Sequence, residues 1–182
     1  MITTSRRLAL HDGALQMHCV TWGQPSAPAV VMLHGLRAYG KWFEEFAEAA
    51  ETDFFMIAPD QRGRGSTDWA TDGKYDTDAY VADLLQLADR WPIWRLDPAI
   101  FPLRPDPPER SWSALAAIEC PTLVVRAGDS DLVAVECADR MVQTLKQGEG
   151  ASVPNAGHMV LEDNPEGFTR LARPFLKKHL CA

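Results

Sequence analysis

The sequence predicts an α/β fold, a mostly parallel sheet flanked by helices, and two observations carry that expectation. Short apolar runs rich in β-branched and aromatic residues, Val30-Val31-Met32-Leu33 and Phe54-Phe55-Met56-Ile57-Ala58, break off at His34-Gly35 and at Pro59. Strands buried on both faces of a parallel sheet look like this. Between them, Lys41 to Glu51 sets Trp42, Phe43, Phe46, Ala49 and Ala50 at helical spacing, with Glu44, Glu45 and Glu48 opposite. That spacing predicts an amphipathic helix, and strand, helix, strand makes a parallel crossover unit. Open sheets of this kind bind ligands beyond the carboxyl ends of their strands.

The remaining elements follow in chain order. Arg6 to Leu10 and Leu15 to Trp22 flank the turn signal His11-Asp12-Gly13 and predict a hairpin. Gln24 to Pro28 is a loop. Asp76-Thr77-Asp78 reads as a helix N-cap with acidic residues in the first turn, followed by Tyr80, Val81, Leu84, Leu85, Leu87 and Ala88 on one face. Pro98 to Pro108 is a proline-rich loop with Trp91, Trp94 and Trp112 around it, tryptophans expected to serve packing. Ser113 to Ile118 is a short helical stretch. Cys120 to Arg126 is a strand with Pro121 at its start, where a missing N–H is tolerated. Val135 to Leu145 is a helix, Ala151 to Pro154 a short last strand, and Glu166 to Leu180 a closing amphipathic helix.

Composition bounds the function. At 182 residues, 46% apolar and 24% charged, the chain is expected to form one domain, 1–182, with a real core. A net charge of −7 and a pI near 5.2 argue against nucleic acid or an anionic membrane as partner. No apolar run approaches the ~20 residues of a membrane span, and the N-terminus lacks a signal-peptide core, so a cytoplasmic location is expected. Cys19, Cys120, Cys137 and Cys181 form no C-x-x-C pair and read as reduced. His11, His18, His34, His158 and His179 show no ligand spacing, so neither metal nor cofactor is indicated.

Asp60-Gln61-Arg62-Gly63-Arg64-Gly65-Ser66 does not have the spacing of a P-loop or a dinucleotide fingerprint. Together with His34-Gly35-Leu36-Arg37, Gly128-Asp129-Ser130-Asp131 and Asn155-Ala156-Gly157-His158, it resembles the α/β-hydrolase family, whose motifs occur in this order. The resemblance covers almost the whole chain in two blocks: 1–90, and 119–182 preceded by a cap remnant, 91–118. It implies that His34, Gly35, Asp60 and Arg62 shape turns, that the Leu36 N–H helps form an oxyanion hole, and that Asp131 and His158 are the catalytic acid and base. Asp131 would fix the imidazole tautomer, and His158 would carry the proton to and from the reacting oxygen.

One part of the pattern is missing. The family's nucleophile elbow, G-x-S-x-G, would follow the helix that ends near Arg90, but no Ser, Cys or Asp in the chain has glycines two residues to either side. The nucleophile is therefore unknown; Ser66 lacks the flanking glycines, and Ser130 neighbours the acid. An internal deletion of about two β-α units and most of the cap, roughly 25 residues per unit, accounts for the gap. It would leave the sheet without its central strands, with exposed edges that invite self-association. Two functions of different class follow: hydrolysis of a small carboxylic ester or related carbonyl substrate, or a non-catalytic remnant that binds small ligands in a hydrolase-like fold.

Overall fold

The computed structural model describes residues 3–35, 37–90 and 108–180. Trp91, Trp94 and most of the proline-rich loop of the expected cap remnant lie outside them. The chain forms two compact units, Met1–Arg104 and Pro105–Ala182.

In the first unit, β1 (Thr4–Leu10) and β2 (Leu15–Trp22) form an antiparallel hairpin, Thr4 opposite Thr21 and Leu10 opposite Leu15. His11 and Asp12 close its turn at φ 51° and 55°, and Gly13 at 92°. β3 (Ala29–Val31) runs parallel to β4 (Phe55–Pro59), which pairs antiparallel with β2, so the sheet order is β1-β2-β4-β3. All five residues of β4 are buried, which is why its sequence is apolar without alternation. β3 is shorter than the Val30–Leu33 run suggests, although the Met32 N–H still donates to the Ile57 carbonyl at 2.8 Å.

Lys41 to Glu51 is only partly α-helical. A 3-10 turn, Gly40–Phe43, precedes α1 (Glu44–Ala50). Gly40 lies so close to the Ala58 carbonyl that a Cβ would collide with it, so the turn must start at a glycine. α2 (Thr77–Arg90) begins where its cap was expected: Asp76 Oδ1 accepts the Ala79 N–H at 2.9 Å. Leu87 of α2 is fully buried against Leu10, Leu15, Met17 and Cys19, a contribution of about 1.5–3 kcal/mol for that one side chain. Cys19 is a reduced thiol in this core, its pKa pushed up to about 12 by burial and by Asp60.

In the second unit, α3 (Pro108–Ala117) precedes β5 (Thr122–Ala127), α4 (Val135–Thr144) and β6 (Gly148–Val153). β5 and β6 pair parallel, Thr122 opposite Gly148 through Ala127 opposite Val153. The last strand starts three residues before the expected Ala151. Gly148-Glu149-Gly150 reads as loop by propensity, but a Cβ at Gly148 would meet the Val142 carbonyl and one at Gly150 the Val142 side chain, so the glycines let α4 lie close on the strand. A short helix, α5 (Val160–Asp163), leads to α6 (Pro165–Leu180), which packs on both strands. Trp112 of α3 lies under the Arg140 guanidinium, 4.0 Å from its ring centroid.

Candidate active site

The loops after β3 and β4 are tied together by one imidazole. His34 Nδ1 donates to its neighbour's carbonyl, Gly35 O, at 2.8 Å, while Nε2 accepts the Gln61 N–H at 3.0 Å. Gln61 returns its side-chain amide to the His34 carbonyl at 2.6 Å. The network leaves no acceptor for a second ring proton, and burial first, then the Arg64 charge, holds the His34 pKa below its ordinary 6.5. Leu36, whose N–H the resemblance assigns to the oxyanion hole, lies outside the described residues.

The sign of this shift gives a pH dependence. Below the ordinary value of 6.5 the unfolded chain binds a proton at His34 that the folded chain refuses, so stability is lost as pH falls from there. Chemical denaturation at about pH 7 and about pH 5 should show lower stability in acid, with a shallower slope in His34→Asn. An unchanged slope in that variant would remove His34 as the cause.

Asp60 is the hub of the glycine-rich turn. Its carboxylate accepts the Gly40 N–H at 2.7 Å and the Ser66 N–H at 2.8 Å, and its own carbonyl accepts the Thr67 hydroxyl at 2.6 Å. Gly65, at φ 53°, passes so close that a Cβ would overlap that carboxylate. Arg62 turns away from Asp60 to a buried, bidentate pair with Asp83 of α2, at 2.7 and 2.6 Å, and donates to the Lys74 carbonyl at 3.0 Å. Hydrogen bonding to Asp83 raises the Arg62 pKa further. Asp83 Oδ1 also meets His11 Nε2 at 2.6 Å.

In the second unit, β5 and β6 release their loops side by side. Gly128 N–H donates to the Val153 carbonyl at 2.7 Å and Asp129 N–H to the Ala156 carbonyl at 2.9 Å. The loop carrying Asp131 and the loop carrying His158 are thereby laced together at the carboxyl ends of neighbouring parallel strands. The two side chains are exposed, and no hydrogen bond joins them among the described residues. Ser130 Oγ accepts the Leu132 N–H at 3.3 Å, within its own loop.

Several residues the sequence reading passed over hold these loops. Arg126, a cation near the end of an apolar strand, donates to the carbonyls of Val133 (2.7 Å), Gly128 (2.7 Å) and Ser130 (3.1 Å), and so clamps the segment around Asp131. Its signal was present: a charge inside Leu123-Val124-Val125-Arg126-Ala127 needs a partner. Asp163 accepts the Gly157 N–H at 2.8 Å, and Asn164 donates to the Pro154 carbonyl at 2.8 Å, fixing the loop before His158. Among the described residues no group of three or more His, Cys, Asp or Glu is placed to hold a metal ion, and no helix is long and apolar enough to cross a membrane.

Comparison with known proteins matches part of the chain by sequence and nearly all of it by fold. Residues 28–96 fit the sequence profile of the family described as alpha/beta hydrolase fold. The chain is 36% identical over 93 residues to a 3-hydroxybutyrate-oligomer hydrolase of Cupriavidus necator, covering 50% of this chain and 29% of that protein. It is 35% identical over 78 residues to epoxide hydrolase A of Mycobacterium tuberculosis, covering 41% of this chain and 24% of that one. The chain thus spans less than a third of either relative. Among solved structures, the thioesterase domain from the curacin biosynthetic pathway aligns with a TM-score of 0.80 at 14% identity, over 94% of this chain and 99% of that one. A thermophilic esterase from Thermogutta terrifontis aligns with a TM-score of 0.79 at 16% identity, over 97% and 99%. At such identities the structural likeness speaks for the fold alone, and it is the alpha/beta hydrolase fold that the profile matched over residues 28–96 also describes.

Proposed function

We propose that the chain hydrolyses a small carboxylic ester or related carbonyl compound, with His158 as general base and Asp131 as its partner. The observation that supports this most is the Asp129 N–H to Ala156 carbonyl bond at 2.9 Å, which draws the acid and histidine loops together. With no elbow in the sequence, water is the nucleophile in this site: His158 takes its proton as the oxygen adds to the carbonyl carbon, then returns it to the leaving alkoxide. Turnover should be slow, because attack and expulsion are no longer divided between acylation and deacylation.

Hydrolysis of p-nitrophenyl acetate by the purified chain tests this reading. Made in a chain that carries Ser5→Ala, so that the Ser5 hydroxyl discussed below contributes nothing, His158→Ala and Asp131→Asn should each lower the rate by about 10²-fold, the lower range for a lost general base. An undiminished rate in His158→Ala would overturn the assignment of the base.

A second reading, ligand binding without catalysis, is favoured by one feature. Within the first unit an apolar cleft is lined by Met17, Leu33, Tyr80, Val81, Leu84 and Leu87, a composition suited to a small apolar ligand. It would be preferred if a small apolar ester bound and stayed intact.

A further inference from the structure

The first unit holds a hydroxyl, an imidazole and a carboxylate in series, apart from Asp131 and His158. Ser5 Oγ lies 2.7 Å from His18 Nε2, and His18 Nδ1 lies 2.8 Å from Asp60 Oδ2. An ionised carboxylate only accepts, so Nδ1 carries the ring proton and Nε2 presents its lone pair to the Ser5 hydroxyl. Burial is graded along the series: the Asp60 side chain is 4% exposed, that of His18 17%, and Ser5 is open to solvent.

The base and its orienting group are held from several sides. The Gly40 and Ser66 N–H groups pin the Asp60 carboxylate. His18 N–H donates to Thr67 Oγ1 at 2.8 Å, and the His18 carbonyl accepts the Asp60 N–H at 2.9 Å. Strand alternation puts Ser5 and Arg7 on the face of the hairpin opposite Leu8 and Leu10, and Arg7 is directly across from His18. Arg7 reaches the Ser66 carbonyl at 2.7 Å and Asp68 at 3.3 Å, which leaves a guanidinium on the face where negative charge would develop.

We propose that Ser5 is a nucleophile, activated by His18 with Asp60 as orienter, that accepts the acyl or phosphonyl group of small, unhindered activated esters at this open face. A hydroxyl within hydrogen-bond reach of a base, itself oriented by a third group, is what nucleophilic activation requires. Ser5 Oγ bonds to the carbonyl carbon while its proton passes to His18 Nε2. The bond to the leaving alcohol then breaks, and that oxygen takes the proton from Nε2. Water adds to the acyl carbon, giving a proton to Nε2, and the acyl–Oγ bond breaks as Ser5 recovers it. Carboxylic acid and alcohol are the products, and water is the only co-reactant.

A small alkyl fluorophosphonate on the full chain, followed by intact mass and peptide mapping, tests the assignment. The expected result is one adduct, formed with loss of fluoride, on the peptide that contains Ser5. It should be absent in Ser5→Ala, which removes one exposed oxygen and leaves the core untouched, and should form about 10²-fold more slowly or worse in His18→Gln. No adduct at Ser5, an adduct confined to another residue, or an equal rate in His18→Gln would overturn it. The Asp131–His158 reading is judged separately, by ester turnover in a chain that already carries Ser5→Ala.

Discussion

Asp83→Ala is expected to destabilise the chain by about 3–5 kcal/mol, the usual cost of stranding one member of a buried ion pair. The Arg62 and Asp83 side chains are 6% and 3% exposed, so solvent cannot take over when the carboxylate is removed. His11 loses its Nε2 partner as well, keeping only Gln86, at a turn held in a left-handed backbone conformation. Urea denaturation with the linear extrapolation measures the loss. The double variant Arg62→Met/Asp83→Leu should recover most of it, since an apolar pair of similar size removes the desolvation problem. A loss below about 1 kcal/mol in Asp83→Ala, the range of exposed pairs, would show that the pair is open to water.

Asp60→Ala is expected to cost roughly 3–5 kcal/mol, because the Gly40 and Ser66 N–H groups and His18 all lose their acceptor. Amide hydrogen exchange reads the effect locally. Protection at Gly40 and Ser66 should collapse, while amides in β5 and β6 of the other unit keep theirs. Unchanged protection at Gly40 and Ser66 would contradict the hub role. A loss of this size is also the reason the Ser5 relay is best probed at Ser5 and His18, where the substitutions leave the turn its carboxylate.

Elements governed by local chemistry were legible in the sequence. The unbroken apolar run of β4, the Asp76 cap of α2 and the hairpin turn at His11-Asp12-Gly13 each state their structure within a few residues. Boundaries at close tertiary approaches were not: β6 begins at a glycine against which α4 packs, and the 3-10 turn begins at Gly40, where Ala58 is too near for a side chain. Side-chain pairing across long separations was legible least. Arg62 and Asp60 lie two residues apart in sequence, yet Arg62 pairs with Asp83, 21 residues on, and Asp60 meets His18, 42 residues back. The loops bearing Asp131 and His158 could be located by resemblance, whereas the Arg126 clamp and the Asp129–Ala156 bond that hold them are facts of folding.

The central claim is that His158, partnered by Asp131, serves as a hydrolytic base in a chain without the family's elbow. Its most direct test is the rate of p-nitrophenyl acetate hydrolysis by Ser5→Ala compared with Ser5→Ala/His158→Ala, both confirmed folded. The account predicts measurable hydrolysis by the first that falls about 10²-fold in the second. Equal rates in the two proteins would contradict it.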